Sequence, residues 1–182
     1  MKDDELQSII GIGNFKVVAN LPYYITTPLI MRFLESDLPV DSLTVMVQEE
    51  VGLRLVAKPN TADYSAITLA VLLRGGATIT RKVGRNMFYP APNVDSAVVR
   101  IDVDKDKLAG ENKALIHKLV RSAFLMRRKT LVNSVSSSLS VPKAKIIEAL
   151  EESGLDVKPE TVKEFGYVKR IEKGKLTDKF IQ

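Results

Sequence analysis

Apolar, largely β-branched positions cluster in FKVVA (Phe15 to Ala19), which predicts a short buried strand ended by the turn residues of NLP. The apolar spacing then lengthens to three and four in TTPLIMRFLES. That predicts a helix with Thr26 or Thr27 as cap and Pro28 in its first turn. SLTVMVQEE predicts a second buried strand running into the helix EEVGLRLVAK. KPNTADYS reads as a polar loop and SAITLAVLLRGG as a buried helix closed by Gly75 and Gly76. TITRKVG and SAVVRIDV predict two further strands, joined by the proline-rich link MFYPAPNVD. The order strand–helix–strand–helix–helix–strand–strand is an α/β layout. Beyond DVDKDKLAGEN the pattern changes, and KALIHKLVRSAFLM, RKTLVNSVSSSL and PKAKIIEALEESG are all helical in spacing. The chain is therefore expected to divide near Lys105–Gly110, with an α/β part over 1–104 and a small all-α domain over 105–182.

Charge follows the same division. Residues 1–104 hold 10 Lys and Arg against 12 Asp and Glu, a net of −2, whereas residues 105–182 hold 17 against 10, a net of +7. A basic second part suits a polyanion partner, and equally a solubilising surface. The 182 residues contain no Cys, which removes disulfides and thiolate metal sites and fits a reducing compartment. Even the apolar stretch AITLAVLL ends at Arg74, well short of a membrane span, and MKDDELQSII lacks the apolar core of a signal peptide. A soluble, cytoplasmic protein without membrane partners is the expectation.

Three stretches carry candidate chemistry. The first is NLPYYITTP, leaving the strand at Asn20; by itself it reads equally well as a turn. Its chemical reading is the methylation of an exocyclic adenine amine. The N6 lone pair is delocalised into the purine and is a poor nucleophile. An Asn20 side-chain oxygen and a backbone carbonyl at Leu21–Pro22, accepting both N–H groups, favour a pyramidal nitrogen. Pro22 stiffens the backbone so that the carbonyl is aimed in advance. Tyr23 offers a face on which a flipped-out base can stack. The second stretch, FYPAPNVDS, is a stiff loop that can hold Phe88 against the base's other face, or simply a rigid linker. The third, FLMRRKTLVNS, places Arg127, Arg128 and Lys129 at a helix start, suited to phosphate contacts or to a solvated charged face. Glycines in GIGNF precede a strand instead of following one, so a nucleotide-cradling role is not expected there. His117 sits in a helical pattern and reads as structural. No metal cluster is predicted.

N-L-P-Y-Y-I-T-T-P, M-V-Q-E-E-V-G-x-R, F-x-P-x-P-x-V-x-S-A-V-V-R and F-x-x-R-R-K-T-L-x-N occur in that order between about Phe15 and Ser138. In this the chain resembles the ribosomal RNA adenine dimethyltransferase family, whose small-subunit branch dimethylates two adjacent adenines of small-subunit RNA. Leu21 and the following I-T-T-P favour that branch over the large-subunit, antibiotic-resistance branch, which usually reads N-I-P-Y.

The resemblance implies a partial Rossmann-like methyltransferase sheet followed by a helical RNA-binding domain, with S-adenosylmethionine as donor in the complete enzyme. It implies that Asn20, Leu21, Pro22 and Tyr23 orient the amine, and that Tyr23 and Phe88 enclose the adenine. It further implies that Asn20 touches the edge of the donor site, that Gln48 and Glu49 line it, and that Arg127, Arg128 and Lys129 hold RNA. The partner is small-subunit RNA in a pre-30S-like particle. The family's N-terminal half, with the acidic glycine-rich donor loop, has no counterpart in these residues, and DVKPETVKEFGYVKRIEKGKLTDKF matches only loosely. Weak donor binding, no turnover by this chain alone, and self-association through an unpaired Phe15–Ala19 strand edge are expected. A non-catalytic RNA- or ribosome-binding module is the competing reading.

Overall fold

The computed structural model describes residues 8, 11, 13–59, 61–108, 112–126 and 129–154. They fall into two compact units, residues 1–57 with 67–109, and residues 58–66 with 110–182.

In the first unit, β1 (Phe15–Asn20), β2 (Val40–Gln48), β3 (Gly75–Val83) and β4 (Ser96–Val103) form one sheet in the order β1-β2-β4-β3. β1 and β2 are parallel, while β4 runs antiparallel to both β2 and β3. Helix α1 (Thr26–Glu35) makes the crossover between the parallel strands, and α2 (Glu49–Leu55) and α3 (Ala66–Arg74) join β2 to β3. The predicted element order is the observed one.

One face of the sheet carries the core. Val17 and Ala19 of β1, Leu43, Val45 and Val47 of β2, Ala97, Val99 and Ile101 of β4, and Ile79 of β3 pack with Ile30, Leu34, Leu55, Ile67, Ala70 and Val71 of the helices. The opposite face bears Lys16, Val18 and Asn20, then Thr44, Met46 and Gln48, then Ser96, Val98 and Arg100. Val18 on that face is 81% exposed. FKVVA is therefore half-buried, not the fully buried strand its composition predicts, because all the described helices of this core lie on one side. β1 also ends the sheet order, with β2 as its neighbour among the described residues.

Three further local expectations are corrected. Thr26 is the first residue of α1, not its cap, and its hydroxyl donates to the Pro22 carbonyl at 3.1 Å. Gly75 and Gly76 do not close α3; they begin β3 directly after Arg74. A Cβ at Gly75 would lie 1.9 Å from the Asp102 carbonyl oxygen, so this crossing of backbones requires glycine. Lys129 stands before the N-cap Thr130 of the following helix, not within its first turn.

The second unit is built on α4 (Lys113–Phe124), α5 (Leu131–Leu139) and α6 (Lys143–Glu152). Asn112 and Thr130 cap α4 and α5 by accepting from Leu115 N at 3.1 Å and Asn133 N at 3.3 Å. Val132, Val135, Ile146 and Leu150 form a small core. Three hydroxyls tie α4 to α5: Ser122 meets Ser138 at 2.9 Å, and Ser134 donates to the Ser122 carbonyl at 2.6 Å. Tyr64, from the polar loop, packs its ring on Phe124 with centroids 5.9 Å apart.

Candidate functional site

The parallel pair delivers Asn20 and Gln48 to the same end of the sheet, the carboxyl end at which open α/β sheets place ligands. Because β4 runs antiparallel, it begins where β2 finishes: Ser96 pairs with Gln48 on one side and with Val83, the last residue of β3, on the other. The ends of β1, β2 and β3 and the start of β4 thus meet at one edge.

Asn20 closes β1 with an exposed side chain, opposite Met46, on the sheet face away from the core. Leu21 turns into the core. The Pro22 carbonyl accepts from Ile25 N and from the Thr26 hydroxyl, each at 3.1 Å. Among the described residues no hydrogen bond uses the Leu21 carbonyl. Of the two carbonyls in the predicted Leu21–Pro22 element, the structure commits the second to the chain itself and leaves the first without a hydrogen bond among the described residues. The Asn20 Oδ1 and this carbonyl are two acceptors one residue apart on a braced turn.

Tyr23 opens a short 3-10 turn, and its hydroxyl meets Ser96 Oγ at 2.9 Å. Ser96 is 0% exposed. This bond spans 73 residues and joins the N-L-P-Y segment directly to the last residue of FYPAPNVDS. Asp95, its neighbour, accepts from Arg85 N at 2.8 Å through its carboxylate and from Glu49 N at 2.9 Å through its carbonyl. The proline-rich loop between Arg85 and Asp95 is thereby tied at its base, with Phe88 half-buried within it and the Tyr89–Pro90 bond cis. Among the described residues the ring pair is Tyr64 with Phe124, so Tyr23 and Phe88 are not packed on one another.

Gln48 ends β2 and Glu49 begins α2. Glu49 takes a hydrogen bond from Lys82 Nζ at 2.6 Å. That bond, then the Glu49 charge, holds the Lys82 ammonium above its ordinary value, with a smaller contribution from Asp95. His117 is buried in α4, as a structural histidine is expected to be. Lys129 is exposed, whereas Arg127 and Arg128 lie outside the described residues. No group of side chains suited to a metal ion occurs among the described residues, nor a helix long and apolar enough to cross a membrane.

The described residues do not fit a sulfonium donor's usual cradle. No glycine-rich turn among them carries a strand into a helix N-terminus; Gly11 and Gly13 precede β1, and β2 enters α2 through Gln48 and Glu49.

Sequence reasoning left Ser96, Asp95 and Lys82 without roles. A small polar residue heading a strand of otherwise apolar character was the one available signal for Ser96.

An open α/β sheet with a braced Asn-Leu-Pro-Tyr turn at its carboxyl edge places the chain in the Rossmann-like α/β class. The sequence model described as "Ribosomal RNA adenine dimethylase" matches residues 7–164, and the chain belongs to that family. It is 43% identical over 172 residues to the "Ribosomal RNA small subunit methyltransferase A" of Clostridioides difficile (strain 630), covering 92% of this chain and 60% of the relative. With the protein of the same name from Lachnoclostridium phytofermentans it shares 48% identity over 143 residues, covering 77% of the chain and 49% of the relative. The chain therefore spans about half to three-fifths of the length of these curated relatives. Among solved structures, a dimethyladenosine transferase from Plasmodium falciparum superposes with a TM-score of 0.66 at 26% identity, covering 77% of this chain and 58% of that one. The 23S rRNA methyltransferase ErmE superposes with a TM-score of 0.61 at 23% identity over 94% and 67%, a likeness of fold. The Rossmann-like α/β class expected from the sequence is the one observed.

Proposed function

We propose that this chain carries the adenine-accepting and RNA-holding part of an S-adenosylmethionine-dependent adenine-N6 dimethyltransferase acting on small-subunit ribosomal RNA. The observation that carries the reading is the turn at Asn20–Tyr23, where a side-chain amide and a carbonyl without hydrogen-bond partners among the described residues sit beside a phenol held by Ser96. Asn20 Oδ1 and the Leu21 carbonyl accept the two N–H bonds of the target amine and keep its lone pair out of the ring, a preorganised electrostatic contribution. Tyr23 and Phe88 enclose the flipped base. Residues 105–182, with Arg127, Arg128 and Lys129 foremost, hold RNA phosphates in an assembling small-subunit particle, in the cytoplasm. In the complete enzyme S-adenosylmethionine would supply the electrophilic methyl group, with Asn20 at the edge of its site.

The donor cradle missing from the described residues favours a second reading, a module that binds RNA without turnover by itself. Among the described residues β1 pairs on one side only, which supports self-association through Phe15–Ala19, the usual hazard of an edge strand.

Methyl incorporation into unmethylated small-subunit particles by the full product of the gene tests the reading. Asn20→Ala lowers turnover on the order of 100-fold or more, as loss of one oriented partner does, and leaves RNA affinity nearly intact. Turnover within about threefold of wild type refutes the role of Asn20. In the isolated chain, replacing Arg127, Arg128 and Lys129 by Ala lowers the slope of log affinity against log salt by roughly 0.7–0.9 per lost contact. An unchanged slope refutes their placement on RNA.

A further inference from the structure

Large apolar groups stand in water on both sides of the base-binding segments. Tyr24, next to Tyr23, is 83% exposed; Met87, next to Phe88, is 74% exposed; and Tyr89, on its other side, is wholly exposed. Val94, just before Asp95, is also exposed. These residues belong to one edge. The Tyr23–Ser96 bond and the Asp95–Arg85 bond link their two segments, and Met87 N and Phe88 N bond back to Gly84 and Arg85 to shape the loop. Water-facing aromatic residues grouped on braced loops mark a surface built to be covered.

Charge selects what covers it. Arg81, Lys82 and Arg85 are exposed at the end of β3 and in the turn that follows. Glu49 neutralises Lys82, and Glu50 is paired with Arg54. Arg81 and Arg85 have no ion-pair partner among the described residues. Guanidinium groups without an ion-pair partner among the described residues, at the same sheet edge as exposed aromatic rings, are the combination that binds single-stranded nucleic acid: cations track the backbone and rings stack the bases, whatever their identity.

We propose that Tyr24 and Tyr89 are stacking subsites for the unpaired nucleotides flanking the target base, with Arg81 and Arg85 on their phosphates. This rests on the reading of Tyr23 and Phe88 as the pocket for the flipped base. The substrate at this edge is then single-stranded RNA splayed over three faces, one base enclosed and its neighbours laid on open rings.

The test uses the whole chain with two probes, a single-stranded six-nucleotide RNA carrying a central 2-aminopurine and adenosine monophosphate. Tyr24→Ala and Tyr89→Ala each weaken hexamer binding roughly 5- to 150-fold, the range expected for losing one stacked base, and leave the mononucleotide unchanged. Tyr24→Phe and Tyr89→Phe stay within about twofold, because the ring is kept. Arg81→Gln and Arg85→Gln each lower the salt slope by roughly 0.7. Tyr23→Ala weakens both probes. If Tyr23→Ala acts on both probes while Tyr24→Ala and Tyr89→Ala bind the hexamer as wild type does, the flanking subsites are wrong and the base pocket stands. If Tyr23→Ala is also silent, the pocket reading falls and takes this proposal with it. If the alanine variants change sedimentation but not RNA binding, the surface is a protein contact and the proposal is overturned.

Discussion

Removing the Ser96 hydroxyl isolates the one bond that joins the two halves of the site. Ser96 Oγ and the Tyr23 hydroxyl lie 2.9 Å apart, with Ser96 fully buried and Tyr23 half-buried. A neutral hydrogen bond contributes about 0.5–1.5 kcal/mol net, and a buried group left without its partner costs about 1–3 kcal/mol. In Ser96→Ala the group left behind is the Tyr23 hydroxyl, which water can reach, so the loss belongs near about 1 kcal/mol. Tyr23→Phe strands the buried Ser96 hydroxyl and falls nearer the middle of the larger range. Both changes together remove donor and acceptor at once, so the double variant is less destabilised than the sum, by a coupling of about 0.5–1.5 kcal/mol. Urea unfolding of the whole chain followed by circular dichroism reads all four corners of this cycle. For a unit of this size, about 1 kcal/mol also appears as a melting shift of roughly 4–8 °C. Additivity within about 0.3 kcal/mol would mean the hydroxyls do not interact, and the link between the Asn20 turn and the Phe88 loop would have to be sought elsewhere.

Gly75→Ala places a Cβ against the Asp102 backbone, which cannot rotate away as a side chain can, so a loss of more than about 2 kcal/mol is expected in the same assay; a neutral result refutes the crossing. Thr130→Ala removes the cap of α5 and is expected to lower stability by about 1 kcal/mol, with Thr130→Ser close to wild type; equal losses in both variants refute the cap. The raised Lys82 value means its pairing with Glu49 is fully present below the ordinary lysine value, about 10.4, and fades as pH climbs through the higher folded one. In Glu49→Gln, or in molar salt, the Lys82 titration followed by NMR should fall back toward the ordinary value; an unmoved midpoint refutes the pair.

What the sequence made legible, and what it did not, divides along locality. The order of elements was readable because apolar spacing is a local signal: IMRFL declares a helix and SAVVRIDV a strand before any tertiary contact is known. Burial of FKVVA was misread because a β-branched run looks the same whether helices cover one face of it or both. Gly75 and Gly76 read as a helix stop because glycine ends helices far more often than it opens a strand through a crowded crossing. Thr26 looked like a cap, yet its hydroxyl turns back to Pro22, a competition that composition alone cannot resolve. The turn at Asn20–Tyr23 was legible as a strand end through its Asn and Pro. Its partner Ser96 was not, because a bond across 73 residues leaves no trace in spacing.

The antiparallel entry of β4 is what brings two distant motifs to one edge. A parallel strand in that position would begin at the far end of the sheet and carry FYPAPNVDS away from Asn20. Reversal places Ser96 opposite Gln48 and brings the Arg85–Asp95 loop to the edge where β1 ends at Asn20 and β2 at Gln48. The core then fixes the aim. Ala97, Val99 and Ile101 must face the helices, so Ser96, Val98 and Arg100 must face away. A slip of one residue would bring Ala97 to the position facing Tyr23, removing the hydroxyl, and would turn three core side chains into water. Burial on one face of the sheet thus holds the register of the Ser96–Tyr23 bond on the other. The stability of β4 and the placement of Tyr23 are, for that reason, a single property of the sequence.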